Sequence, residues 1–118
     1  MSTATPLDLS GFTGTENWYR HWANPKITFT DGAHHFAEHA GNGAFWFLDI
    51  IVTELTGLQR ELGFLHIVLN VIENEADITA DDGNNNIVWQ KHISYTDCPP
   101  GTYRFYFTND VILLTTEY

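Results

Sequence analysis

Residues 44–71, AFWFLDIIVTELTGLQRELGFLHIVLNV, decide the fold, because the apolar period changes within them. Ala44, Phe45, Phe47, Leu48, Ile50, Ile51, Val52, Leu55 and Leu58 follow helical spacing and cover most of a helix circumference for two turns. A helix that is apolar nearly all round is a buried one. It ends between Thr56 and Gly63. From Phe64 the period falls to two, with Leu65, Ile67, Leu69 and Val71 alternating with Phe64, His66, Val68 and Asn70. Such alternation is a strand with one face in a core.

The twofold pattern continues downstream. Ala76, Ile78 and Ala80 alternate with acids and Thr79, and Ile87, Trp89, Ile93 and Tyr95 alternate with Gln90, His92 and Ser94. Tyr103, Phe105 and Phe107 alternate with Arg104 and Tyr106, and Val111–Leu114 is a further short apolar run. Asp82-Gly83-Asn84-Asn85 and Asn109-Asp110 are turn signals, because these residues tolerate positive φ. Cys98-Pro99-Pro100-Gly101 reads as a loop that does not pair in a sheet. Upstream, Thr30 or Asp31 caps a helix carrying Ala33, Phe36, Ala37 and Ala40, with Gly41 as its stop.

Before that helix, Lys26–Thr30 alternates as a short strand after the Asn24-Pro25 break. The stretch 7–22 suggests a helical turn near its start and another at Glu16–His21. The first six residues are small and polar and are expected to fray. The expectation is an α+β fold in one domain, residues 1–118. N-terminal helices, one of them buried, pack on one face of a C-terminal antiparallel β-meander.

Fifteen acids against five bases give a formal net charge of −10 in 118 residues. Nucleic-acid binding rests on clustered Lys and Arg, and Arg20, Lys26, Arg60, Lys91 and Arg104 are scattered. Anionic membrane surfaces are disfavoured for the same reason, whereas a basic protein partner would be steered in. One cysteine, Cys98, forbids an internal disulfide, and no basic-then-apolar leader is visible. A soluble, cytoplasmic protein in a reducing compartment is expected.

Five features could carry chemistry. Trp18-Tyr19-Arg20-His21-Trp22 has the composition of an interface hot spot. As one helical turn it would dock Trp18 and Trp22 on the core and leave Arg20 and His21 outward as a contact surface. Asp49 interrupts the apolar helix. It is either a carboxylate on a pocket floor with Trp46 as wall, or part of a polar edge with Thr53 and Thr56. His34, His35 and His39 share a helix, and the i, i+4 pair His35/His39 could reach one metal ion, although no third ligand is indicated by spacing. Glu73, Glu75, Asp77, Asp81 and Asp82 concentrate charge around one hairpin without the spacing of a calcium loop. Cys98 sits beside Asp97, which opposes thiolate formation, and the sequence does not show whether His21, His66 or His92 approaches it.

Several blocks resemble a domain family of unknown function found in small acidic bacterial and phage-borne proteins. They are FTGTENWYRH (12–21), FTDG (29–32), AEHAG (37–41), AFWFLD (44–49), DGN (82–84), ISYTDCP (93–99) and VILLTTEY (111–118). They run from about residue 9 to the last residue. The chain departs from the family pattern in ending Thr115-Thr-Glu-Tyr118 instead of Pro-Ser-Glu-Tyr, and in a longer Gly41-Asn-Gly43 segment. The resemblance implies a compact domain and no particular activity.

The function expected is that of a small acidic, non-catalytic protein-interaction module needing no cofactor. If phage- or mobile-element-borne, it would serve as an inhibitor or accessory protein occupying a basic groove. The alternative is a small metal-binding or hydrolytic domain using the His34/His35/His39 helix. A homodimer, for instance through the Tyr103–Phe107 strand, stays open.

Overall fold

The computed structural model of the chain describes Leu9 and residues 11–118. The expected fraying of residues 1–6 lies outside the described residues, as does most of the stretch assigned to a first helical turn. Two short strands come first, β1 (Trp18–Arg20) and β2 (Thr28–Thr30). Helices α1 (Asp31–His39) and α2 (45–62) follow in the middle of the chain. Five strands complete it: β3 (Phe64–Ile72), β4 (Glu75–Asp81), β5 (Ile87–Ile93), β6 (Gly101–Thr108) and β7 (Val111–Leu114). All seven strands form one sheet in the order β1-β2-β7-β6-β3-β4-β5. It is mixed, because β2 runs parallel to β7 while the other neighbours are antiparallel.

This corrects the expected α+β architecture of N-terminal helices on a C-terminal meander. The N-terminal segment is strand, not helix: Glu16–His21 holds β1, and Tyr19 pairs with Phe29 on β2. The Trp18/Trp22 spacing imitates a helix, but strands of three residues are too short to display a period. Nor is the C-terminal part a meander. After β3, β4 and β5 the chain crosses back and inserts β6 between β3 and β7. The loop before β6 is shorter than expected, since Gly101 already pairs with Val71.

Local chemistry explains the elements. The Thr30 side chain caps α1 by accepting from the Ala33 N–H at 3.4 Å, and Gly41, at φ +61°, lets the chain leave it. Helix α2 is α-helical over Phe45–Ile50, π-helical over Ile51–Leu55 and α-helical again over Thr56–Leu62. Two-residue turns with positive φ join β3 to β4 (Glu73, Asn74) and β6 to β7 (Asn109, Asp110), the geometry that matches strand twist.

Both helices cover one face of the sheet. Phe36 of α1 and Phe47 of α2 meet Phe105 of β6 with ring centroids 5.1 and 5.0 Å away. Leu65, Ile67, Leu69, Ile78, Phe107 and Ile112 close the core beneath them. Among the described residues no helix is long and apolar enough to cross a membrane.

Candidate functional site

Three of the five features singled out in the sequence, the Trp18–Trp22 block, Asp49 and the histidine helix, meet at the corner where β1 and the segment before it approach both helices. Asp31, first residue of α1, organises the corner. Its carboxylate accepts from the Glu16 N–H at 2.9 Å, from Asn17 through backbone and side chain, and from the Tyr19 hydroxyl at 3.1 Å. These bonds, that from Glu16 foremost, hold its pKa below the usual carboxylate value. Tyr19 stacks on His34 with centroids 4.0 Å apart and planes 8° from parallel. A cavity of about 440 Å³ opens beside them, lined by Phe12, Glu16, Tyr19, His34, His35 and Glu38.

His21 and Asp49, suspected separately, are bonded. His21 is buried. Its Nδ1 accepts from the Ala23 N–H at 3.1 Å, so Nε2 carries the proton and donates to Asp49 Oδ1 at 2.7 Å. The Trp22 indole donates to the same oxygen at 3.0 Å. Both ring nitrogens are thereby engaged, and neither is left to act as a base. Asp49 is partly exposed and ties α2 to the β1–β2 hairpin. Trp46 is half-buried and packs edge-on against Phe47. The expected outward pairing of Arg20 with His21 is corrected: Arg20 is exposed and His21 is not. The expected docking of a Trp is corrected too, for Trp18 and Trp22 are 58% and 80% exposed.

The histidine helix divides its three imidazoles. His34 pairs with Glu38 at 3.1 Å and belongs to the Tyr19 stack. His35 and His39 share a face, centroids 4.3 Å apart, and burial followed by His39 lowers the pKa of His35. Among the described residues no three His, Cys, Asp or Glu side chains group as a metal would require. Cys98 is buried, and that burial pushes its thiol up to about 11, so little thiolate exists near neutral pH. The Tyr103 hydroxyl below it donates to the Pro99 carbonyl at 2.6 Å.

A second region was not singled out as a site: the sheet face that the helices leave open. Alternation that buries Leu65, Ile67 and Leu69 turns Phe64, His66 and Val68 to this side, with Tyr106 opposite His66 on β6. Phe64, Tyr106 and the final Tyr118 form an aromatic cluster with centroids 5.0–6.2 Å apart, and His66 joins it 5.6 Å from Tyr106. Beside the cluster runs a line of carboxylates on β4. Asp81 holds His66 Nδ1 at 2.9 Å, while Asp77 and Glu75 hold His92 of β5 at 2.8 and 3.1 Å. The bond to Asp77, chiefly, raises the pKa of His92. Arg104 is the one Lys or Arg that strands β3 to β7 turn to this face. Trp18 and Arg20, alternating with Tyr19, continue it onto β1.

One signal for this face was legible. Phe64, Val68 and Tyr106 occupy the phase of the alternation that solvent would fill with polar residues. The acidic residues taken as one hairpin are instead spread along β4, with Glu73 at one end and Asp82 at the other. Comparison with curated proteins and with solved structures returned no significant match. A family model matches residues 3–118, nearly the whole chain, and carries no activity. The chain therefore belongs to that family, described as the Family of unknown function (DUF6876).

Proposed function

We propose that this chain is a non-catalytic protein-binding module that receives a basic partner on the open face of its sheet. One observation carries the reading: the helices protect a single face, yet the other face bears clustered aromatics beside a carboxylate line. A face meant only for water would alternate to polar residues. Here Phe64, Val68, Tyr106 and Leu113 stand in those places, Tyr118 beyond β7 packs on Phe64 and Tyr106, and aromatics beside charge are what protein interfaces favour. The net charge of −10 would steer a basic surface toward it. A second reading, favoured by the exposed Trp18 and Trp22, puts the contact at the β1 edge of the same face.

Affinity capture on the immobilised chain separates these readings. Tyr118→Ala and the pair Asp77→Asn/Asp81→Asn should lose a discrete set of basic proteins, and high salt should release them from the unaltered chain. Trp18→Ala should retain them. If Trp18→Ala loses them and the open-face variants do not, the β1 edge is the contact. If no variant changes the captured set, the reading is wrong.

A further inference from the structure

The described sheet has two edges, β1 with three residues and β5 with seven. An edge strand offers unpaired backbone donors and acceptors, and proteins blunt such edges with charge, proline or bulges. β5, Ile87-Val-Trp-Gln-Lys-His-Ile93, contains no proline and no acid, although the chain has fifteen acids. Its single irregularity is a bulge at Val88, opposite Ala80 and Asp81, which leaves Trp89–Ile93 regular. Ile87 and Val88 are 61% and 40% exposed, and Tyr95 just beyond is 71% exposed.

The order of residues along this edge is self-complementary. An antiparallel pairing with a second copy about a two-fold axis through Gln90 sets Gln90 against Gln90 and Trp89 against Lys91, within the regular stretch Trp89–Ile93. No like charges fall opposite one another. The Lys91 ammonium is already held by Glu54 at 3.1 Å, on the helix side that Trp89 also faces, so its stem would lie against the partner's indole. Ile87 and Ile93 flank the pairing at each end. We infer that two copies of this chain associate through β5, edge to edge and antiparallel, joining their sheets into one. The expected partner in self-association is thus β5, not the Tyr103–Phe107 strand, which as β6 lies inside the sheet.

The two-fold axis supplies its own test. Gln90 is exposed, so changing it spares the monomer fold, which circular dichroism would verify. Gln90→Glu and Gln90→Lys each place like charges directly opposite, and each should weaken the dimer at least roughly tenfold in sedimentation equilibrium. An equimolar mixture of the two should restore association, because opposite charges then meet. A monomeric unaltered chain at high micromolar concentration would overturn the inference. So would a dimer indifferent to both changes, or one that responds to only one sign, the response expected of a different partner surface.

Discussion

On the helix-covered side of the sheet, polar groups bond across long stretches of chain. On the open side they bond between neighbouring strands. Glu117 reaches back to Thr30 and Gly32, Asp49 to His21, Asp97 to Asn42, and Asp110 to Gln59 and Arg60. The open face instead has His66 with Asp81, His92 with Asp77, and Asn70 with Thr102. The first set ties distant segments into one shape, and the second only dresses a sheet already formed. Changes on the covered side should therefore be read in stability, and changes on the open side in binding. The sharpest contrast is Phe36→Ala. Phe36 is fully buried among Phe47, Tyr103 and Phe105, and its loss should cost about 3–5 kcal/mol in urea unfolding.

A smaller effect comes from the polar framework itself. Glu117 Oε1 accepts from the Thr30 hydroxyl at 2.6 Å and the Leu114 N–H at 2.9 Å, while Oε2 accepts from the Gly32 N–H at 3.0 Å. The carboxylate thus sits at the N-terminus of α1, where the helix dipole favours a negative charge. A Cβ on Gly32 would lie 2.5 Å from that carboxylate and from Leu114, so the glycine is what permits the approach. Glu117→Gln turns an acceptor into a donor facing a donor and should cost about 1–3 kcal/mol, measured by the same unfolding. Equal stability of Glu117→Gln and the unaltered chain would erase the distinction between the two sides.

The blocks that carry the family resemblance coincide largely with this framework. FTGTENWYRH supplies the donors to Asp31 and one partner of Asp49, His21, FTDG supplies Thr30, Asp31 and Gly32, and TTEY supplies Glu117. The sequence pattern therefore records how the chain is held together, which is why it identified the family and left the activity unstated. The buried helix, the long strands and their turns were legible because each is long enough to repeat its period. β2 was legible as the short strand within Lys26–Thr30, but β1 was not, and neither the pairing of Tyr19 with Phe29 nor that of β2 with β7 some eighty residues later could be read locally. The insertion of β6 beside β3 was equally hidden, because alternation gives a strand its faces but not its neighbours. His21 and Asp49 were each noticed, but nothing local to either could say that they bond.

On the open face, Tyr118→Ala removes an exposed ring that touches Phe64 and Tyr106. It should shift stability by no more than about 0.5–1.5 kcal/mol, the range for an aromatic pair. A loss as large as that of Phe36→Ala would mean that this face belongs to the core and is not available to a partner.

The smallest effect distinguishes the sides by pH. Asp31 has its pKa lowered by folding, so its contribution is present above the unfolded value and lost as pH falls through the lower folded value. His92 runs the other way. Its bonds to Asp77 and Glu75 raise its pKa above the ordinary 6.5, so folding holds the proton more tightly than the unfolded chain does. Its contribution is complete below the unfolded value and fades as pH rises through the folded one. Unfolding midpoints followed upward from pH 6 should therefore drift down slightly in the unaltered chain, and the drift should diminish in Asp77→Asn. Asp31→Asn should leave that drift alone and weaken the chain's decline toward acid instead. If Asp77→Asn left the drift above pH 6 unchanged, or Asp31→Asn removed it, the attribution of that drift to the bonds of His92 on the open face would be wrong.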